Sequence, residues 1–209
     1  MPSQLIPLFP LRAVVFPRCV LPLHIFEERY KAMIGEAIRD KREFGVVLAK
    51  EEGISNIACT VMVERVLHAY PDGRLDILTR GRRRFQIVTL NEESSCLEAE
   101  PSYFDDDDPS PVPSELRDVA LLSFGELTPF VSMAGRAAPD LDDPQLSFQL
   151  AQFLTDLEMM NSFLAMRSEV ARLQRLNQFL SEYIPRQRAI AQVREVAPTN
   201  GRSKHSAGF

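Results

Sequence analysis

The sequence predicts an α+β fold: a strand-rich first half holding one inserted helix, followed by a helical second half. Three observations carry this. Short apolar and β-branched runs separated by turn residues fill residues 1–104, and apolar side chains at helical spacing fill residues 114–185. Between them, Asp105-Asp-Asp-Asp-Pro-Ser-Pro-Val-Pro113 suits neither a strand nor a helix, and it reads as an exposed linker.

Pro7, Pro10, Pro17 and Pro22 punctuate the opening apolar runs. Proline donates no ladder hydrogen bond, so these runs suit edge strands and kinked or bulged strands. Tyr30, Met33, Ile34, Ala37 and Ile38 then fall on one face of a helix of about three turns. Acidic Glu27 and Glu28 stand at its start and basic Arg39 and Lys41 near its end, as the helix dipole favours. Phe44-Gly-Val-Val-Leu-Ala49 is a continuous apolar run, the pattern of a strand buried on both faces. Ile57 to Tyr70 and Leu75 to Thr79 flank Pro71-Asp-Gly73, a hairpin turn in which proline presets φ and glycine accepts a positive φ. Gly81 permits a bulge or bend, Phe85 to Leu90 resumes the sheet, and Cys96 to Phe104 supplies a last strand.

Three stripes define the second half: Leu116 to Leu127, Leu146 to Leu157, and Val170 to Ile184, the last stopped by Pro185. Asp156 is placed to cap a short helix beginning Leu157-Glu-Met-Met160. Residues 186–209 form a tail, partly helical and then, after Pro198, without apolar period and expected to be disordered.

Charge is unevenly distributed. Residues 1–104 carry 14 basic and 14 acidic side chains, residues 105–160 carry 2 and 12, and residues 161–209 carry 8 and 3. No single broad basic face of the kind a nucleic-acid binder needs is expected from this. No apolar stretch approaches the roughly 20 residues of a membrane span. Cys19, Cys59 and Cys96 are odd in number and widely spaced, and they read as reduced, buried side chains of a cytoplasmic protein. GxSxG, HExxH and GxxxxGK patterns are absent, and no metal or cofactor is expected. Cys19 and His24 sit at odd separation and so on opposite faces of a regular strand, which argues against a dyad.

Two clusters remain as candidate sites. Met159, Met160, Phe163 and Met166 form an apolar, adaptable set; of the two adjacent methionines only one can point fully inward, so one is expected exposed. Arg80-Gly-Arg-Arg-Arg84, and Arg82, Arg83 and Arg84 in particular, suit contact with nucleic-acid phosphates, with Phe85 or Tyr103 available to stack on a base. The plainer reading is a solvated hairpin end whose arginines discourage edge pairing.

Leu8-Phe-Pro-Leu-Arg-Ala-Val-Val-Phe-Pro17, Val20-Leu-Pro-Leu23 and His24-Ile-Phe-Glu-Glu-Arg-Tyr30 resemble the opening of the N-terminal substrate-binding domain of Lon-type ATP-dependent proteases. Phe44 to Leu48, Ala58 to Val61, Pro71 to Arg74, Gly81 to Phe85, Ser147 to Ala151 and Arg172 to Leu176 follow in that family's order, so the resemblance spans roughly residues 5–184. It implies a PUA-like twisted β-barrel or sheet over residues 1–104, the linker 105–113, and a helical bundle over 114–185. It also implies a module that binds unfolded or peptidic polypeptide segments, or a protein partner, in protein quality control. The chain departs from the full proteases by ending where their ATPase would begin, without phosphate loop or serine–lysine site. Met160 stands where a polar or basic residue is common. The resulting expectation is a stand-alone, non-enzymatic, cytoplasmic binding module that takes apolar segments in a groove between sheet and helices. Its rivals are an RNA-binding module using Arg82 to Arg84, and a small-molecule enzyme in the same cleft near His24 or His68.

Overall fold

β1 (Ile6–Leu11) and β2 (Val20–Ile25) lead into α1 (Glu28–Asp40). There follow β3 (Phe44–Ala49), β4 (Ile54–Ala69), β5 (Leu75–Asn91) and β6 (Glu98–Phe104). The helical half comprises α2 (Ser114–Leu127), α3 (Leu146–Ala151), α4 (Leu157–Ala165) and α5 (Glu169–Val196). The computed structural model describes residues 5–133 and 136–196.

The strands lie in the order β2-β5-β4-β3-β1-β6, and β6 pairs with β5 as well. Five strands therefore close into a ring. Leu8, Val47, Ala58, Phe85 and Ala99, one from each ring strand, belong to one buried cluster that fills it. Space there is tight: a Cβ on Gly45 would stand 2.7 Å from the Leu8 side chain and 2.8 Å from Phe85.

β2 stays outside the ring and pairs with β5 alone, from Val20↔Arg80 to Ile25↔Leu75. Its other edge has no strand partner among the described residues, which suits Pro22 on it. The expected runs before and after Gly81 are one 17-residue strand, β5, whose first half pairs with β2 and whose second half pairs with β6. Gly81 sits at the changeover. Its N–H donates to the Cys19 carbonyl at 2.9 Å, and its carbonyl accepts from Arg18 N–H at 2.8 Å. A Cβ there would lie 2.0 Å from the Phe16 carbonyl oxygen, so the approach of the two backbones requires glycine.

α1 buries Tyr30, Met33, Ile34 and Ala37, the face its spacing predicts. The turn after β4 has Gly73 at φ 82°, with Gly73 N–H donating to the Tyr70 carbonyl at 3.0 Å. All three cysteines are unpaired and buried.

Two helical expectations need correction. The stripe from Leu146 to Leu157 is not one helix: α3 ends at Ala151, and α4 starts at Leu157 behind Asp156, whose carboxylate accepts the Met159 N–H at 2.9 Å. Both Phe153 and Leu154 are buried in the link, so packing rather than helix period sets their places. Nor does Pro185 stop the last helix, since α5 runs through it to Val196. Proline inside a helix costs about 3 kcal/mol, and α5 is held on either side of it, by buried Ile184 and by Arg188 pairing with Glu126 of α2 at 3.1 Å. The tail expected to be disordered after Pro198 lies outside the described residues.

One buried apolar cluster runs from Phe9 and Phe16 in the strand-rich half to Phe148, Phe163 and Leu180 in the helices. Phe16 and Phe148 stack with centroids 5.0 Å apart, which seats α3 against the segment leading to β2.

Candidate functional site

A groove of about 450 Å³ opens between these halves. One wall is residues 12–16 and the start of β2, contributing Val14, Val15, Phe16, Val20, Leu21 and Pro22. The other wall is the α3–α4 link and the first turn of α4, with Leu154, Thr155, Leu157 and Met160. Arg12, Arg136 and Gln152 supply its remaining polar groups along with Thr155, and among the described residues no carboxylate lines it. This is the composition of a binding hollow: mostly apolar, with few polar groups. The free edge of β2 borders it. Cys19 also lines the groove, but burial, with the nearby Asp143 charge, pushes its thiol up to about 12, so it is no nucleophile at neutral pH.

The helices that form the second wall are held to the strands by a buried ionic cluster. Arg84 on β5 and Arg172 on α5 are both fully buried. The Asp106 carboxylate accepts from Arg84 at 2.7 Å, from Arg172 at 2.6 Å through each oxygen, and from Gln145 at 2.9 Å. Arg172 also donates to Glu169 at 2.8 Å, and Glu169 accepts from the Ser147 hydroxyl at 2.6 Å. The Arg172 guanidinium stands 4.2 Å from the centroid of the Phe148 ring, which also stacks with Phe16. Burial alone would raise the Asp106 pKa; hydrogen bonds from Arg172 and Gln145, with the charges of Arg172 and Arg84, overrule it and hold it at about 2. Burial pushes the Glu169 carboxyl the other way, upward, against the bonds from Ser147 and Arg172.

This cluster corrects the reading of the acidic stretch as a plain exposed linker. Asp105 to Asp108 has no regular secondary structure, yet Asp106 is an ion-pair centre, Asp107 pairs with Arg167 at 3.5 Å, and Asp108 accepts from Ser168 at 2.5 Å.

The four apolar candidates do not share a surface. Phe163 is fully buried and Met160 is 4% exposed, while Met159 and Met166 are partly buried against the core. The exposed methionine expected at 159 or 160 is therefore absent, because α4 packs on β4 and is tied to it by Asn161 donating to Ser55 at 2.9 Å. Of the four, only Met160 reaches the groove.

The arginine run is not a hairpin end either; it lies in mid-strand. Arg84 points inward, Arg80 pairs with Glu64, and Arg83 pairs with Glu43 at 3.1 Å while standing 3.9 Å from the Tyr103 ring centroid. The stacking face imagined for a base is thus occupied by a side chain of the protein itself. Arg82 alone of Arg82 to Arg84 is exposed with no ion pair among the described residues.

His24 Nδ1 donates to the Asp76 carboxylate at 2.6 Å, and Tyr70 donates to it at 2.8 Å. Those two bonds hold the Asp76 carboxyl below its ordinary range. The group is exposed and lies outside the groove, so it does not supply the cleft chemistry that an enzyme there would need. A second hollow of about 660 Å³ lies beside α1, lined by charges of both signs including Lys41, Glu43, Arg83 and Glu98. Arg83 and Glu43 in it already neutralise each other, and it lacks a free strand edge. Among the described residues, no group of three or more His, Cys, Asp or Glu is placed to hold a metal ion. No helix among them is long and apolar enough to cross a membrane.

Residues 5–182 match the family described as the ATP-dependent protease La (LON) substrate-binding domain. The chain belongs to that family. It is 29% identical over 126 residues to the Lon protease of Parabacteroides distasonis, covering 56% of this chain and 15% of that protease. It is 32% identical over 111 residues to Lon protease 2 of Myxococcus xanthus, covering 49% and 13% respectively. The chain thus matches only a small part of the length of these proteases. Among solved structures, the Lon N-terminal domain protein from Xanthomonas campestris superposes with a TM-score of 0.67 at 24% identity, over 83% of this chain and 96% of that one. The N-terminal domain of the Mycobacterium avium complex Lon protease superposes at 0.61 with 15% identity, over 85% and 98%. Both likenesses bear on the fold, and they agree with the α+β architecture described above.

Proposed function

We propose that this Lon substrate-binding-family chain is a non-enzymatic polypeptide-binding module whose groove takes extended apolar segments. The observation that carries the reading is the junction of an apolar hollow with an unpaired strand edge: Val20, Leu21 and Pro22 line the groove and also belong to β2. An extended segment laid there exchanges main-chain hydrogen bonds with an edge strand and turns alternate side chains into the hollow. β2 spans six residues, about 20 Å of extended chain, so a comparable length of ligand is engaged. Membership of a substrate-binding family supports the same reading, and so does the buried, raised thiol of Cys19, which removes the one nucleophile lining the groove.

The test is fluorescence anisotropy of a labelled, permanently unfolded polypeptide titrated with the protein at low and high salt. Saturable binding that persists at high salt is expected, because apolar burial is not screened. Leu157→Glu introduces a carboxylate into the apolar wall at the first residue of α4, where the helix dipole tolerates it. That variant should lose binding while remaining folded, at a cost of about 1 kcal/mol because Leu157 is partly buried against the core. Unaltered binding by the variant would place the polypeptide elsewhere and refute the groove as the site.

A further inference from the structure

We infer that the groove selects apolar segments that carry an acidic side chain, with the Arg136 guanidinium as the anchor for its carboxylate. This rests on the polypeptide-binding reading above and specifies the chemistry of the ligand.

Charge is the first argument. Among the described residues the groove is lined by Arg12 and Arg136 and by no Asp or Glu, although the chain as a whole carries a net charge of -5. Arg136 is one of only two basic residues in the 56-residue stretch 105–160, which holds 12 acidic ones, yet none of those carboxylates pairs with it. The hollow is a cationic, largely apolar patch on an acidic molecule.

The second argument is what the other arginines do. Arg18 pairs with Asp143, Arg80 with Glu64, Arg83 with Glu43, and Arg84 and Arg172 with Asp106. Arg117 donates to the carbonyls of Leu141 and Asp143. Among the described residues, Arg136 is the one arginine that is not exposed and yet donates its guanidinium to no acceptor. It stands 5.5 Å from the Phe153 ring centroid, which orients the planar group without satisfying its five N–H donors. Partial burial with no facing anion lowers its proton affinity, as desolvation of an unpaired cation must.

Geometry gives the third argument. A guanidinium at the wall of an apolar, partly dehydrated hollow binds a carboxylate through two parallel N–H···O bonds, and more strongly than at an open surface. A segment extended along β2 presents side chains to the groove at every second position. The preferred ligand is therefore an extended run in which an acidic residue is flanked, two positions to either side, by apolar ones. A nucleic-acid strand fits less well, because its affinity rests on many phosphate contacts and the groove offers two cations.

Three labelled peptides of equal length, N-acetylated and C-terminally amidated, test this. They share an apolar extended sequence and differ only in a central Glu, Gln or Lys. The Glu peptide should bind about tenfold more tightly than the Gln peptide, the worth of one charge-assisted hydrogen-bonded pair. The Lys peptide should bind more weakly than either, and the Glu-to-Gln gap should narrow as salt is raised. In Arg136→Gln the gap should close because the Glu peptide loses more affinity than the Gln peptide; Arg136→Lys, which keeps the charge and loses the fork, should restore part of it. Arg12→Gln should narrow the gap less, since Arg12 is exposed. Equal affinity of the Glu and Gln peptides for the unaltered protein overturns the inference and leaves apolar binding intact. So does a gap that survives in Arg136→Gln. An oligonucleotide displacing the Glu peptide through Arg136 would assign the cation to phosphate and likewise overturn it. Failure of all three peptides to bind would instead refute the polypeptide-binding reading itself.

Discussion

Two pairs of arginines divide the work of this molecule. Arg84 and Arg172 are sealed in the core and share the Asp106 carboxylate, whereas Arg12 and Arg136 line an apolar groove to which the described residues contribute no carboxylate. The same side chain is a fixture in one place and an unfilled valence in the other. The difference lies in whether the fold itself brings a carboxylate to the guanidinium. At the core it does, from residue 106 to residue 172 across 66 positions of sequence, and the helices are held against the strands. At the groove it does not, and a cation held partly out of water without a partner is available to an outside one.

The largest effect should come from breaking the core pair. Asp106→Ala leaves the buried Arg84 guanidinium without a carboxylate and Arg172 with Glu169 alone, and it should cost about 3–5 kcal/mol in chemical denaturation. A loss below about 1 kcal/mol would mean that water or another acid reaches the cluster, and the contrast with the groove would fail.

Acid sharpens the same point. The Asp106 pKa falls from 3.8 to about 2 on folding, so its ionised form stabilises the folded state. That contribution is complete above about pH 4 and disappears as pH falls through 2. It is worth about 2 kcal/mol, and denaturation midpoints measured from pH 5 to pH 2 should fall accordingly. Asp106→Asn should flatten this acid limb. Glu169 works in the opposite sense: its carboxyl is raised, so it takes up a proton more readily in the folded protein and offsets part of the loss. Glu169→Gln should therefore steepen the limb.

The smallest effect on stability belongs to the groove. Arg136→Gln removes no internal ion pair, so it should shift stability by no more than about 0.5 kcal/mol, while abolishing discrimination between acidic and neutral peptides. Arg82→Ala should change neither stability nor binding, since Arg82 is exposed, unpaired and outside the groove.

What the sequence disclosed follows the range of the interactions involved. The α1 stripe, the Pro71-Asp-Gly73 turn, the Asp156 cap and the edge character marked by Pro22 are all set by neighbours within a few residues, and each is present. The role of Asp106 was not legible, because four consecutive aspartates are locally equivalent and only a distant Arg172 singles one out. Arg84 was hidden in a run of arginines for the same reason: its inward partners are Asp106 and the Leu164 carbonyl at the end of α4, both distant in sequence. Pro185 signals a helix end locally, but packing of Ile184 carries α5 past it. The adjacent methionines implied exposure until β4 covered α4. As for the site, a groove between sheet and helices was foreseeable, but its lining was not. Residues 12–22, Arg136 and 152–160 are far apart in sequence and are brought together by long-range packing, including the Phe16–Phe148 contact and the bond from Arg18 to Asp143. The scarcity of basic residues in 105–160 was the one signal that singled out Arg136.

The most direct measurement is the anisotropy titration of a labelled unfolded polypeptide against the unaltered protein and Leu157→Glu in parallel. The account predicts saturable, salt-tolerant binding by the first and none by the second, with both proteins folded under the conditions of the titration. Binding by both alike, or by neither, would contradict it.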